Sequence, residues 1–231
     1  ARWERLPAPV ALGASARDVL EDAAGELAAA WLLRAVPPWR SAAVTLVLLA
    51  LFAGFCAQAL SGGTTNLATA ADLGGLWAQG RLPAEPGRLF TYALLHYGAL
   101  HLITNALAIA LVGPVVARAL GAAGFIGVFV GSVVGAGVAI SLFGGYGLTI
   151  GASGGAMGLV GAAAVIAWRH PASHGRRTGR AALRIGVVMV LAQAALDAVT
   201  PQISSMGHAS GAAVGAAIGL IWLLTARTLR R

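Results

Sequence analysis

Long stretches without any charged residue constrain this chain more than any other feature. One of them, SAAVTLVLLALFAGFCAQALS, fills residues 41–61 without an acidic or basic side chain. A helix needs roughly 20 mainly apolar residues to cross the hydrocarbon core of a bilayer, and a soluble domain carries about 25% charged residues. Here 58% of the residues are hydrophobic and only 10% are charged. We therefore expect an all-α membrane protein that crosses the bilayer several times.

Six apolar segments can be drawn as transmembrane helices. They are residues 41–61, 93–116, 122–144, 153–168, 182–199 and 207–225. The fourth is too short to span a bilayer by itself, so we expect it to begin below the membrane surface after a non-helical stretch. Irregular backbone at that depth is tolerated only where protein surrounds it. The predicted fold is a six-helix bundle with a shortened, centrally buried fourth helix.

The arginines predict the orientation of these segments. All sixteen basic residues are arginine, and an alternating topology puts every one of them on the same side except Arg81 and Arg88. Because basic loops stay in the cytoplasm, we expect both termini and the loop 169–184 to be cytoplasmic. The predicted location is the cell (inner) membrane, with the connection 61–90 outside. The net charge of +8 then reflects orientation and contact with anionic lipid headgroups, and no nucleic-acid partner is needed to explain it.

The chain divides into three predicted parts. Residues 1–40 form a cytoplasmic N-terminal segment, in which 15–36 fits either an amphipathic surface helix or a poorly ordered tail. Residues 41–226 form the membrane domain, and 227–231 form a basic cytoplasmic tail. No signal peptide is evident in the first forty residues. The single cysteine, Cys56, cannot form an internal disulfide or build a zinc site alone.

Few polar side chains occur in the apolar segments, and the predicted topology places them at one depth. Each lies near the outer end of its segment. They are His96, His101, Asn105, Ser153, Asp197 and His208. Polar groups inside a membrane are costly and tend to be functional. Their shared depth therefore predicts one site below the outer headgroups.

Ser153 and His208 have the chemistry of a nucleophile and its base. A serine hydroxyl is a weak nucleophile unless a base accepts its proton, and a histidine suits that role at neutral pH. At the N-terminus of the fourth helix, Ser153 would also offer its own N–H to an oxyanion. The alternatives are that Ser153 is a small packing residue and that His208 is an interfacial histidine bonded to backbone.

Glycines repeat at helical spacing beside both residues. Small residues four positions apart let two membrane helices approach closely. We expect this packing at Gly154 and Gly158 in the fourth segment and at Gly211 and Gly215 in the sixth. Close approach of these two helices is what a Ser153–His208 hydrogen bond requires, although glycines would pack in this way without any chemistry.

His101 and Asn105 share a helix face because they are four residues apart. Both can donate a hydrogen bond to an anionic oxygen. Asparagine is a poor zinc ligand, so we expect no metal site here. His96 lies on a different face and suits a structural role, and Asp197 suits a helix-end cap better than a third catalytic residue.

Three motifs in the second, fourth and sixth segments resemble those of the rhomboid intramembrane serine proteases of the bacterial, six-helix type. They are HYGALHLITN at 96–105, GASGGAMGL at 151–159 and GHASGAAVG at 207–215. They occur in the family's order, and the resemblance covers roughly residues 41–226.

The resemblance implies a Ser153–His208 dyad in a water-filled site that opens to the outside. The Ser153 N–H, His101 and Asn105 would form the oxyanion hole, and Gly151 would belong to the loop leading into the fourth helix. Substrates would be other transmembrane proteins, cut in or near a membrane segment, with no metal or cofactor. The resemblance does not predict the oligomeric state.

The sequence departs from the family pattern at three positions. Gly87 stands where the family often has Trp before an Arg, and Ala117 stands where it often has Glu. Met157 replaces an aromatic residue that commonly stacks on the base histidine, although a thioether can also pack on an imidazole face. None of these changes removes a reacting group.

Two other classes of function remain alternatives. A non-catalytic relative that binds membrane-protein clients would not need both Ser153 and His208. A small transporter would show broken helices in repeat-related positions, and the sequence shows no internal repeat.

Overall fold

A computed structural model of the chain describes residues 41–145, 147–169 and 205–228. The N-terminal segment 1–40, the fifth apolar segment 182–199 with Asp197, and most of the basic tail lie outside the described residues.

The described elements are mostly apolar helices. In chain order they are α1 (Ala42–Ser61), α2 (Leu67–Asp72), β1 (Leu76–Ala78), α3 (Arg88–Thr91), a 3₁₀ turn (Tyr92–Leu94), α4 (Gly98–Phe143), β2 (Gly147–Thr149), α5 (Ser153–Arg169) and α6 (Ser205–Thr228). Of these, α1, α4 and α6 are long and apolar enough to cross a membrane, and α5 is a shorter apolar helix. This helical membrane architecture agrees with the class predicted from the sequence.

The long helix α4 consists of two arms. Its 46 residues would extend about 69 Å if straight, more than twice the roughly 30 Å hydrocarbon core of a bilayer. The helix is broken at Gly121, whose backbone is non-helical (φ 76°, ψ 175°). The first arm (98–120) and the second arm (122–143) take the place of the predicted second and third segments.

The predicted bounds of the second segment, 93–116, are wrong at both ends. The helix begins only at Gly98, where φ is +78°, a conformation that glycine adopts readily and other residues rarely do. The Gly98 N–H donates back to the His96 carbonyl (3.1 Å), so His96 lies in a turn before the helix. At the other end, the helix continues past Pro114 to the break at Gly121.

A small β-ladder departs from the all-α prediction. Strands β1 and β2 pair antiparallel, with Trp77 opposite Leu148. One strand comes from the connection after α1 and the other from the loop before α5. Backbone N–H and C=O groups must be paired wherever water is scarce. The ladder pairs the backbone groups of the two otherwise irregular segments that contain β1 and β2. It therefore ties the long connection to the entrance of α5.

Arg88 organises that connection. Its Nη1 donates to the carbonyls of Ala71 (2.6 Å) and Gly75 (3.0 Å), and its Nε donates to the Glu85 carboxylate (3.0 Å). Hydrogen bonds to a charged donor are stronger than neutral ones. Arg88 thus fixes the backbone on either side of the turn that leads into β1.

Helix α5 is enclosed by protein. All of residues 154–160 are buried, so the helix lacks a lipid face over nearly two turns. On one side, a Cβ built on Gly155 would lie 2.6 Å from the ring of Phe129, in the second arm of α4. On another side, Gly161 meets the carbonyl of Ala212, in α6.

The backbones of α5 and α6 are in direct contact. A Cβ built on Gly211 would overlap the Gly154 carbonyl oxygen. A Cβ built on Gly215 would lie 2.5 Å from the carbonyl carbon of Gly158, closer than real Cβ atoms approach. Because lipid gives no hydrophobic drive between helices, the pair depends on this close van der Waals fit.

We expect Gly215→Ala to lower the stability of the bundle by about 1–3 kcal/mol, because the added methyl group separates two helix backbones. The matched control is Gly127→Ala, where an added Cβ meets no atom within 4 Å and alanine favours the helix. Thermal unfolding of the purified protein in detergent measures the difference. Equal melting temperatures for the two variants would contradict the packing described above.

Candidate active site

Ser153 is the first residue of α5 and is half-buried. The first hydrogen bond of the helix runs from the Ala156 N–H to the Ala152 carbonyl (3.0 Å). The N–H of Ser153 therefore belongs to the first turn, where backbone donors have no acceptor within the helix. The helix dipole adds partial positive charge at this end. This position favours a negative charge close to the serine.

The loop before Ser153 is held by Tyr92. The Gly151 N–H donates to the Tyr92 carbonyl (2.9 Å), and Gly151 has a φ of +126°, which only glycine adopts easily. The Tyr92 side chain is 2% exposed, and its hydroxyl donates to the Val133 carbonyl in α4 (2.8 Å). Tyr92 thus connects the entrance of α5 to the second arm of α4.

His208 lies in the first turn of α6 and is buried. A Cβ built on Gly154 would lie 3.6 Å from the Gly207 carbonyl oxygen. Ser153 directly precedes Gly154, and His208 directly follows Gly207. The nucleophile and base candidates therefore stand on helix turns that face each other.

The His101 ring faces the loop that leads to Ser153. A Cβ built on Gly151 would lie 2.8 Å from His101 Nε2 and 2.7 Å from its Cε1. The ring of this α4 residue thus lies against the loop that leads into α5.

A backbone donor fixes the neutral form of His101. Its Nδ1 accepts the N–H of Tyr97 (3.3 Å). A neutral imidazole has one protonated nitrogen and one acceptor nitrogen, so the ring proton is on Nε2. This puts a hydrogen-bond donor on the side of the ring that faces Gly151.

Asn105 lies one helical turn after His101 and is 5% exposed. Its Nδ2 donates to the His101 carbonyl (2.9 Å). The amide carries a second N–H, which this bond leaves available. Asn105 therefore supports the helix at His101 and keeps one donor for another acceptor.

The glycines named from the sequence fall into two groups. Gly151 meets the His101 ring, and the other four lie at the contact of α5 with α6. Those four are Gly154, Gly158, Gly211 and Gly215.

Sequence reasoning missed two residues beside the site, Gln58 and Tyr92. Gln58 is fully buried near the end of α1, and its Oε1 accepts the His96 N–H (2.9 Å). The sequence could have indicated Gln58, because a single amide side chain within an apolar segment is energetically costly and therefore tends to have a specific role. The buried His96 ring meets the His101 ring edge-on, with centroids 5.2 Å apart.

The three departures from the motif pattern have different surroundings. Gly87 lies in open space, where an added Cβ meets nothing within 4 Å, and Arg88 still anchors the connection without a tryptophan before it. Met157 is buried in α5, and Ala117 is half-buried in α4.

Within residues 41–145, 147–169 and 205–228, no three His, Cys, Asp or Glu side chains form a group that could hold a metal ion.

Comparison with known proteins identifies the family. A family model for the Rhomboid domain matches residues 83–225, which is more than half of the 231 residues. No curated protein matches the chain. The matched region contains His101, Asn105, Ser153 and His208. The chain is therefore a member of the rhomboid family.

Proposed function

We propose that this chain is an intramembrane serine endopeptidase built on six transmembrane helices, in which α5 is the shortened fourth helix. Its substrates are other membrane proteins, cut within or next to a transmembrane segment. The observation that carries the proposal is the contact between the first turns of α5 and α6, because Ser153 and His208 stand at those turns. Family membership supports it, since rhomboid proteins are typically serine proteases of this kind.

The reaction begins when Ser153 Oγ attacks the carbonyl carbon of the scissile peptide bond. His208 accepts the hydroxyl proton and then gives it to the departing amine, so the first step leaves an acyl-enzyme. Water then attacks the ester carbonyl as His208 accepts its proton. His208 returns that proton to Ser153 Oγ as the acyl bond breaks, and the N-terminal fragment leaves with its new carboxyl end. Both steps need only a dyad, with water entering from the outer side.

Three donors suit the oxyanion that forms in each step. They are the Ser153 N–H at the start of α5, the Nε2–H of His101 and the remaining amide N–H of Asn105. Donors fixed in advance stabilise developing charge more effectively than mobile water does, and one such donor is worth about 10²–10³ in kcat. The positive end of the α5 dipole adds to them.

The arginine distribution supports an orientation with both termini in the cytoplasm. The connection from α1 to α4 and the entrance of α5 then lie on the extracytoplasmic side of the inner membrane. The site opens to water and to the outer leaflet on that side. Substrates therefore present a segment near their outer membrane boundary.

We expect Ser153→Ala and His208→Ala each to lower proteolysis by at least about 10³-fold, because the nucleophile and its base act as a unit. Cleavage of a reporter membrane protein and labelling by a fluorogenic phosphonate measure the loss. The control is Ser210→Ala, since the hydroxyl of this α6 serine donates within its own helix, to the carbonyls of Met206 (2.6 Å) and Gly207 (3.3 Å). Equal labelling of all these proteins would contradict the mechanism, and a folded wild-type protein without labelling would favour client binding without catalysis.

Gly151→Ala should lower kcat by about 10²-fold, because the new methyl group strains a backbone at φ +126° and displaces the His101 ring. Gly87→Ala is the control on the same outer side, where an added Cβ meets no neighbour. Initial rates on the reporter substrate give the comparison. Wild-type kcat in Gly151→Ala would show that the position of His101 does not matter.

Reporter fusions test the proposed orientation. We expect a fluorescent protein fused after Arg231 to fluoresce and alkaline phosphatase at that position to be inactive, because the phosphatase folds only outside the cytoplasm. Phosphatase inserted at the exposed Gly80 should be active. The reverse pattern would overturn the orientation derived from the arginines.

A further inference from the structure

Gln58 is a buried amide near the end of α1. Its side chain is 0% exposed, and both ends of the amide bond to the backbone of other segments. The Oε1 accepts the N–H of His96 (2.9 Å), and the Nε2 donates to the carbonyl of Thr64 (3.3 Å). A polar side chain in a membrane helix is unfavourable unless such bonds are made. Gln58 therefore links α1 to two points of the outer connection.

His96 begins the turn that leads into α4. The Gly98 N–H donates back to its carbonyl (3.1 Å), so the chain reverses direction within three residues. The His96 ring is fully buried and meets the His101 ring at an interplanar angle of 69°. By accepting the His96 N–H, Gln58 fixes the turn and also the position of the His96 ring that packs against His101.

Tyr97, at the centre of this turn, supplies the bond that sets the His101 tautomer. Its N–H donates to His101 Nδ1 (3.3 Å). The direction of that N–H follows from the turn, because the backbone on both sides of Tyr97 is held. With Nδ1 occupied as an acceptor, the ring proton stays on Nε2, toward Gly151.

We propose that Gln58 is a positioning residue that acts through the 96–98 turn to hold His101 in its Nε2–H form, aimed at the oxyanion pocket. This inference rests on the proposed protease function. Without the Gln58 amide, the His96 N–H loses its acceptor and the turn relaxes. The Tyr97 N–H then leaves Nδ1, and both the tautomer and the orientation of His101 become mixed.

Nitrogen-15 NMR of the histidine rings tests this proposal on the full-length protein in detergent micelles. The sample is labelled at histidine and kept at about pH 8, where an ordinary histidine with a pKa near 6.5 is neutral. The His101 signals are assigned by their absence in His101→Gln. We expect protonated Nε2 and acceptor Nδ1 in the wild type, and a mixture of both tautomers in Gln58→Leu.

Two further variants at this position sharpen the test. Gln58→Glu keeps an oxygen for the His96 N–H and should restore the wild-type His101 spectrum. Gln58→Asn is one methylene shorter, so its amide falls short of His96, and it replaces Gln58→Leu if that variant does not fold. The control Leu51→Ala removes a buried side chain (1% exposed) from the same helix, about two helical turns before Gln58. A wild-type His101 spectrum in the folded Leu or Asn variant would overturn the proposal.

Kinetics separate positioning from a purely structural role. In Gln58→Leu we expect kcat to fall about tenfold with KM changed by less than about twofold, because a transition-state contact is lost. Leu51→Ala should lower the melting temperature and leave kcat nearly unchanged. An equal fall in kcat for Gln58→Leu and Leu51→Ala would overturn the positioning role. A wild-type protein that neither cleaves nor labels would refute the protease function, whereas the His101 spectrum would still decide the effect of Gln58.

Discussion

The backbone contact between α5 and α6 is the interaction on which the rest of the structure depends. In lipid, apolar side chains gain little by leaving the bilayer for another helix, so association relies on close packing and hydrogen bonds. Gly211 and Gly215 allow that approach because they add no Cβ between the two backbones. The same contact turns the first residues of both helices toward each other. A single packing constraint therefore holds the bundle together and brings the helix turns that carry Ser153 and His208 next to each other.

The surrounding segments supply polar contacts that these two helices cannot make. Arg88 orders the connection between α1 and α4, and the β-ladder joins that connection to the entrance of α5. Tyr92 holds the Gly151 N–H, and Gln58 holds the turn before α4. Each bond contributes only about 1 kcal/mol, but leaving a buried partner unpaired costs about 1–3 kcal/mol. This difference explains why a buried polar side chain such as Gln58 has a hydrogen-bond partner at each end of its amide.

The sequence predicts the positions of α1 and α6, because a bilayer requires long apolar segments, and it predicts the shorter α5 from its uninterrupted apolar run. It also names candidate reacting residues, since acyl transfer needs an alcohol, a base and donors to an oxyanion. It fails at the start of α4, because hydropathy carries no information about the positive φ of Gly98. It also fails for the β-ladder and for the partners of Gln58, since these bonds join segments far apart in the chain. Such contacts follow from tertiary packing and leave no local periodic pattern.

The most direct measurement is an experimental structure of the protein with a peptidyl phosphonate bound. The expected result is a covalent bond from phosphorus to Ser153 Oγ, with the His208 ring beside it. A phosphonyl oxygen should then lie within hydrogen-bond distance of the Ser153 N–H and His101 Nε2. A bond to another residue, or a His208 ring on the far side of α6 from Ser153, would contradict the proposed chemistry.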